Sequence, residues 1–145
     1  MHEATDVRDI AERYAGRIGG PITALRKVVE ACGRIQRADM EVVADVFNLS
    51  VAEVRGIVSF YSDLRTQPAG RKHIRICQAE ACQAVGARAL TAAVTASLGI
   101  DLGKTAADGS VSLEAVYCLG LCANGPNATV NGSPVVRATP EGLTG

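Results

Sequence analysis

Along its first sixty-odd residues the chain repeats apolar positions at helical spacing. Ile22, Leu25, Val28, Val29 and Cys32 recur every three or four residues, and Pro21 can open that helix behind Gly19-Gly20. Val7, Ile10, Ala11 and Tyr14 predict a short helix ahead of it. Asp39 reads as the cap of a further helix with Met40, Val43, Val46 and Phe47 on its buried side. Ser50 with Glu53 fits a capping box, and Val51, Val54, Ile57, Val58 and Tyr61 then carry the next apolar face. Residues 1–66 therefore predict an N-terminal helical bundle.

The turn-forming run Thr66-Gln67-Pro68-Ala69-Gly70 ends that pattern, and the period changes after it. His73-Ile74-Arg75-Ile76-Cys77 alternates as a strand does. Gln83 to Leu98 is Ala-rich and predicts one helix, with Val85, Leu90, Val94 and Leu98 packing and Gly99 ending it. Asp108-Gly109 predicts a turn into a second strand through Val111, Leu113, Ala115 and Tyr117. Ala128-Thr129-Val130, Asn131-Gly132 and Val135-Val136 spell a hairpin, because Asn-Gly suits a type I′ turn. Thr139-Pro140-Glu141 predicts a final, curtailed helix. The class is α+β: the bundle, then an α/β domain with a mixed sheet over residues 71–145.

Composition narrows the functional classes. Fifteen basic residues balance fifteen acidic ones. Before residue 68 the count is nine against ten, and after it six against five, so neither part attracts a polyanion. Residues 39–64 can be read as a helix-turn-helix with Ser50 opening the recognition helix. That helix offers only Arg55, with Arg65 beyond it, against Glu53 and Asp63, a poor footing on phosphates. No nucleic-acid partner is expected. The charged start, Met1 to Tyr14, lacks a secretory apolar stretch, and no run approaches the ~18 apolar residues of a membrane span. The expected location is the cytoplasm, without direct membrane insertion, where closely spaced cysteines point to metal or redox chemistry.

Four of the five cysteines form two pairs, Cys77/Cys82 and Cys118/Cys122. Four residues separate the first pair, three the second, and thirty-five lie between Cys82 and Cys118. Four thiolates suit soft metals, and these spacings are wider than the Cys-x2-Cys knuckles of zinc ribbons. Four cysteines suffice for [2Fe–2S] or [4Fe–4S]; two distant pairs suit [2Fe–2S] best, one pair per iron, and a structural zinc site with four Cys ligands is the alternative. Cys82 is expected at the start of the Ala-rich helix, where backbone amides favour negative charge. Gly120 and Gly125 are expected where backbone passes close to the group. Cys32 is expected to be an ordinary buried residue, His2 and His73 exposed or packing, and Glu80 a solvated loop residue.

Cys77-Gln78-Ala79-Glu80-Ala81-Cys82 after Ile74-Arg75-Ile76, with Tyr117-Cys118-Leu119-Gly120-Leu121-Cys122 and Val130-Asn131-Gly132, resembles the thioredoxin-like [2Fe–2S] ferredoxin subunit. That subunit occurs in NADH dehydrogenase (complex I), NAD-reducing hydrogenases and NAD-dependent formate dehydrogenases. Pro21 to Leu25, Ser50 to Val54 and Ser59-Phe60-Tyr61 resemble its helical motifs. The resemblance implies a thioredoxin-like domain after the bundle, with Cys77 and Cys82 on one iron and Cys118 and Cys122 on the other. It implies an electron-transfer role without catalysis of its own. FMN and NAD would lie on a flavin-binding partner subunit, and molybdopterin on a larger molybdenum- and iron–sulfur-containing catalytic subunit. The Cys77–Cys82 loop is most similar to the gamma subunit of the molybdenum formate dehydrogenases. Asn124-Gly125-Pro126-Asn127 departs from the family's small apolar run at this point, and Asn131 stands where Asp is common.

Overall fold

The computed structural model describes residues 4–145, so His2 lies outside the described residues. The chain forms two compact units, one ending at Pro68 and the other running Ala69–Gly145.

The first unit holds α1 (Ala4–Glu12), α2 (Gly20–Cys32), α3 (Arg37–Phe47) and α4 (Val51–Phe60). Pro21 occupies the first turn of α2, as its fixed φ favours. At the start of α4 the capping box is complete. The Ser50 hydroxyl accepts from the Glu53 N–H at 3.2 Å, and the Glu53 carboxylate accepts from the Ser50 N–H at 2.8 Å. Those Ser50 donors hold the Glu53 carboxyl below its ordinary pKa. Asp39 does not cap α3. It sits one turn inside, and its buried carboxylate accepts from the backbone N–H of Gln36, the residue at the cap, at 2.7 Å. Leu25, Val28, Val43 and Val54 are fully enclosed in this unit's core. Val51 and Tyr61, expected on the buried face of α4, are 40% and 41% exposed. They stand at the two ends of the helix, past the middle turns that Val54 and Val58 anchor.

The second unit is built on β1 (Lys72–Cys77), α5 (Glu80–Ala84), α6 (Ala87–Leu98), β2 (Lys104–Thr105), β3 (Val111–Val116), β4 (Ala128–Val130), β5 (Ser133–Val135) and α7 (Pro140–Thr144). Its sheet runs β2-β3-β1-β4-β5. β1 and β3 are parallel, with Ile74 opposite Leu113 and Cys77 opposite Val116, and the other pairings are antiparallel. The single helix expected over 83–98 is two helices. Gly86, at φ 106°, breaks them, because an L side chain rarely adopts that conformation. This break leaves Val85 54% exposed instead of packed. β3 ends at Val116, one residue short of Tyr117, whose ring is at the surface. The hairpin turn has φ 49° at Asn131 and 84° at Gly132, as a type I′ turn requires.

The last helix, α7, is five residues long. The Thr139 hydroxyl caps α7 by accepting from the Gly142 N–H at 3.2 Å. Leu143 is fully buried in one core with Ile74, Ile76, Leu90, Val94 and Leu113. A separate small apolar cluster of Cys77, Cys82, Ala87 and Val116 lies at the end of β1. Among the described residues no helix is long and apolar enough to cross a membrane.

Candidate metal centre

Parallel pairing of β1 with β3 brings the carboxyl ends of both strands to one edge of the sheet. Cys77 is the last residue of β1, and its neighbour Val116 is the last of β3. Cys118 follows two residues later, and Cys122 opens a 3-10 turn, Cys122–Asn124. Cys82 arrives on α5. All four thiols of the two pairs therefore meet at this edge, whereas Cys32 lies on α2 in the other unit.

The sulfurs lie as two pairs. Cys118 Sγ and Cys122 Sγ are 3.5 Å apart. Cys77 and Cys82 share a hydrogen bond between their thiols. The Cys118 N–H ties one pair to the other by donating to Cys77 Sγ at 3.3 Å. Burial divides the pairs: Cys77 and Cys82 are each 1% exposed, and Cys118 and Cys122 are at the surface. Among the described residues no three His, Cys, Asp or Glu side chains surround one ion-sized point.

Backbone N–H groups converge on Cys77. Burial pushes its thiol up, but donors from Ala79, Cys118 and Leu119, with the Cys82 thiol, outweigh burial and bring its pKa below the ordinary value. Cys82 goes the other way. Burial raises it, and the proximity of Cys77 adds to that, against hydrogen bonds from the backbone and side chain of Asn127. The hydrogen bond and charge of Cys118 raise Cys122. The amide at the mouth of α5 thus serves Cys77. Cys82 sits inside that short helix and not at the start of the long one, because Gly86 separates the two.

Cys118 holds φ at 69°, a left-handed conformation that costs a non-glycine residue on the order of 1–2 kcal/mol. Its N–H is the one aimed at Cys77 Sγ, so strain and contact coincide. Gly120 and Gly125 serve different ends. At Gly120 a Cβ would meet nothing within 4 Å, and the requirement is its φ of 76°. At Gly125 a Cβ would lie 2.8 Å from Val85 Cγ2 and 3.5 Å from Cys82 Sγ, so there glycine does keep the loop close to a sulfur.

Asn127 was not among the expected site residues. It is 1% exposed, and its Nδ2 donates to Leu121 O at 2.7 Å and reaches Cys82 Sγ at 3.6 Å. The only sequence signal was an amide where an apolar residue is usual. His73 packs in β1 with Nε2 2.9 Å from Glu114 Oε2, away from the thiols, and Glu80 is solvated. Four soft donors in two pairs, amides around the buried sulfurs and a glycine cradle at Cys82 match what a two-iron centre asks of a protein.

The profile of the family described as Thioredoxin-like [2Fe-2S] ferredoxin matches residues 7–145. A subunit of the NADH-quinone oxidoreductase of Escherichia coli (strain K12) is 34% identical over 122 residues, 84% of this chain and 74% of that one. NADH-quinone oxidoreductase subunit 2 of Thermus thermophilus is 35% identical over 122 residues, 84% of this chain and 67% of that one. The NAD+-reducing [NiFe]-hydrogenase in its H2-reduced state superposes with a TM-score of 0.72 at 24% identity, a likeness of fold. It covers 86% of this chain, which spans about a fifth (21%) of the hydrogenase chain.

Proposed function

The chain belongs to the thioredoxin-like [2Fe–2S] ferredoxin family, and from that membership we propose that Cys77 and Cys82 hold one iron of a [2Fe–2S] cluster and Cys118 and Cys122 the other. The observation that carries this assignment is the meeting of two thiol pairs at the carboxyl ends of adjacent parallel strands. When bound, such a cluster takes up and gives back one electron, at a potential set by charge, hydrogen bonds to sulfur and solvent exposure. The chain's residues control those three quantities. Ala79, Cys118 and Leu119 aim N–H groups at the Cys77 sulfur. Asn127 aims its amide at Cys82. Burial keeps water from the first pair, and the second pair lies at the surface, where a partner can approach.

The chain is an electron-transfer subunit of the NADH-quinone oxidoreductase and NAD-reducing hydrogenase kind. Its parent, we propose, is a related cytoplasmic complex, an NAD-dependent formate dehydrogenase, with an NADH:quinone oxidoreductase or an NAD-reducing hydrogenase as the alternative. The support for this is the resemblance of the loop Cys77-Gln78-Ala79-Glu80-Ala81-Cys82 to the gamma subunit of the molybdenum formate dehydrogenases. The direct partner is a flavin- and NAD(H)-binding subunit. A larger molybdenum- and iron–sulfur-containing subunit performs the oxidation of formate.

Purification through a tag on this chain from its own source tests the assignment. A flavoprotein that binds NADH, a molybdenum subunit and formate-dependent NAD reduction are expected. Hydrogenase or quinone-reductase subunits in their place would replace the formate assignment, and a stable monomer would overturn the subunit reading.

Asn127→Leu is expected to lower the midpoint potential in a redox titration. A net hydrogen bond of about 1 kcal/mol corresponds to about 40 mV for one electron. An unchanged potential with an intact spectrum would remove Asn127 from the centre.

A further inference from the structure

The chain has only five Phe and Tyr residues, and two of them stand side by side on the surface where α4 ends. Phe60 is 80% exposed and Tyr61 41%, their rings edge to face with centroids 5.0 Å apart. Tyr61 borders a groove of about 640 Å³ in the first unit. Met40, Val58 and Leu64 form its apolar floor, and Arg37, Arg55 and Arg65 its walls. Among the described residues no Asp or Glu lines it. The carboxylate of Glu41 accepts from Arg37 Nε at 3.2 Å, which leaves the end of that guanidinium, on a side chain 90% exposed, turned to solvent.

Exposed aromatics and arginines are the residues that protein interfaces concentrate, and they supply most hot spots. Arg55 and the solvent-facing end of Arg37 give the wall of this groove a positive lining in a chain whose net charge is zero. A guanidinium that faces solvent, as those of Arg37 and Arg55 do, can grip a carboxylate with two parallel hydrogen bonds. Nucleic acid would need positive charge extended along a backbone, and the first part of the chain carries nine basic residues against ten acidic ones.

We infer that this groove receives a short acidic segment of the flavin-binding partner, its carboxylates paired with Arg37 and Arg55 and one apolar side chain seated on Met40, Val58 and Leu64. The identity of the partner rests on the functional reading above. The groove is a second point of attachment, on a different unit from the thiols, and holds the partner without taking part in electron transfer.

Two measurements on the tagged complex test this. A benzoylphenylalanine photo-crosslinker in place of Ser59, on the groove wall, is expected to couple to a stretch of the flavin-binding chain rich in Asp and Glu. The charge reversals R37E and R55E together are expected to reduce recovery of that chain at least tenfold. The R37K/R55K pair should recover part of the loss, and the melting temperature and visible spectrum of the isolated chain should not change. Crosslinks to a stretch without acids, to nucleic acid or to a second copy would overturn the inference, as would full recovery of the partner with the reversed charges. In each of those cases the flavin-binding chain still co-purifies and the functional reading stands. A wild-type preparation without a flavin-binding chain would instead overturn both.

Discussion

Cys118→Ser is expected to abolish the visible iron–sulfur absorbance of the purified protein, whereas Cys32→Ser leaves the spectrum unchanged. Serine offers a hard oxygen where a soft sulfur is required, and its shorter side chain reaches less far. The substitution also removes the partner 3.5 Å from Cys122 Sγ and the acceptor of the Gly120 N–H. Loss of an outer-shell partner typically weakens metal binding roughly 10–100-fold, and loss of a ligand should exceed that. Cys32 is half-buried on α2, in the other unit from the four paired thiols. Bleaching by Cys32→Ser with an intact Cys118→Ser spectrum would mean that the ligands are misassigned.

The second large effect lies far from the thiols in sequence. Leu143→Ala is expected to destabilise the folded chain by about 3 kcal/mol in urea unfolding, the middle of the range for emptying a buried leucine site. That is a sizeable share of a total stability of roughly 5–15 kcal/mol. Leu143 is fully enclosed with Leu90 and Val94 of α6 and Ile74 and Leu113 of the sheet. The cysteine cluster is packed separately, so the spectrum of the folded variant should match the wild type. A loss under about 1 kcal/mol would mean that α7 only rests on the surface, since exposed positions rarely exceed about 0.5 kcal/mol.

Features fixed by neighbouring residues were legible in the sequence. The Ser50–Glu53 box, the Asn131-Gly132 turn and the cysteine pairs each depend on chemistry a few residues apart. β2 was not, because two residues show no period. The break at Gly86 was hidden in an Ala-rich stretch, where one glycine is compatible with a continuous helix. The exposure of Val51 and Tyr61 depends on how far α4 extends beyond its packed turns, which periodicity does not encode. In the site, the spacing of the four thiols could be read from the sequence, but their surroundings could not. The donors at Cys77 are backbone amides of Ala79, Cys118 and Leu119, which any residue type supplies. Asn127 comes to Cys82 from forty-five positions away, through the pairing of β1 with β4.

Four thiols holding two irons imply a fixed stoichiometry. Iron and acid-labile sulfide, measured together on the as-isolated protein, test it most directly. Equal amounts of both are expected, about two of each per chain, as a [2Fe–2S] centre contains. Zinc without sulfide would contradict it.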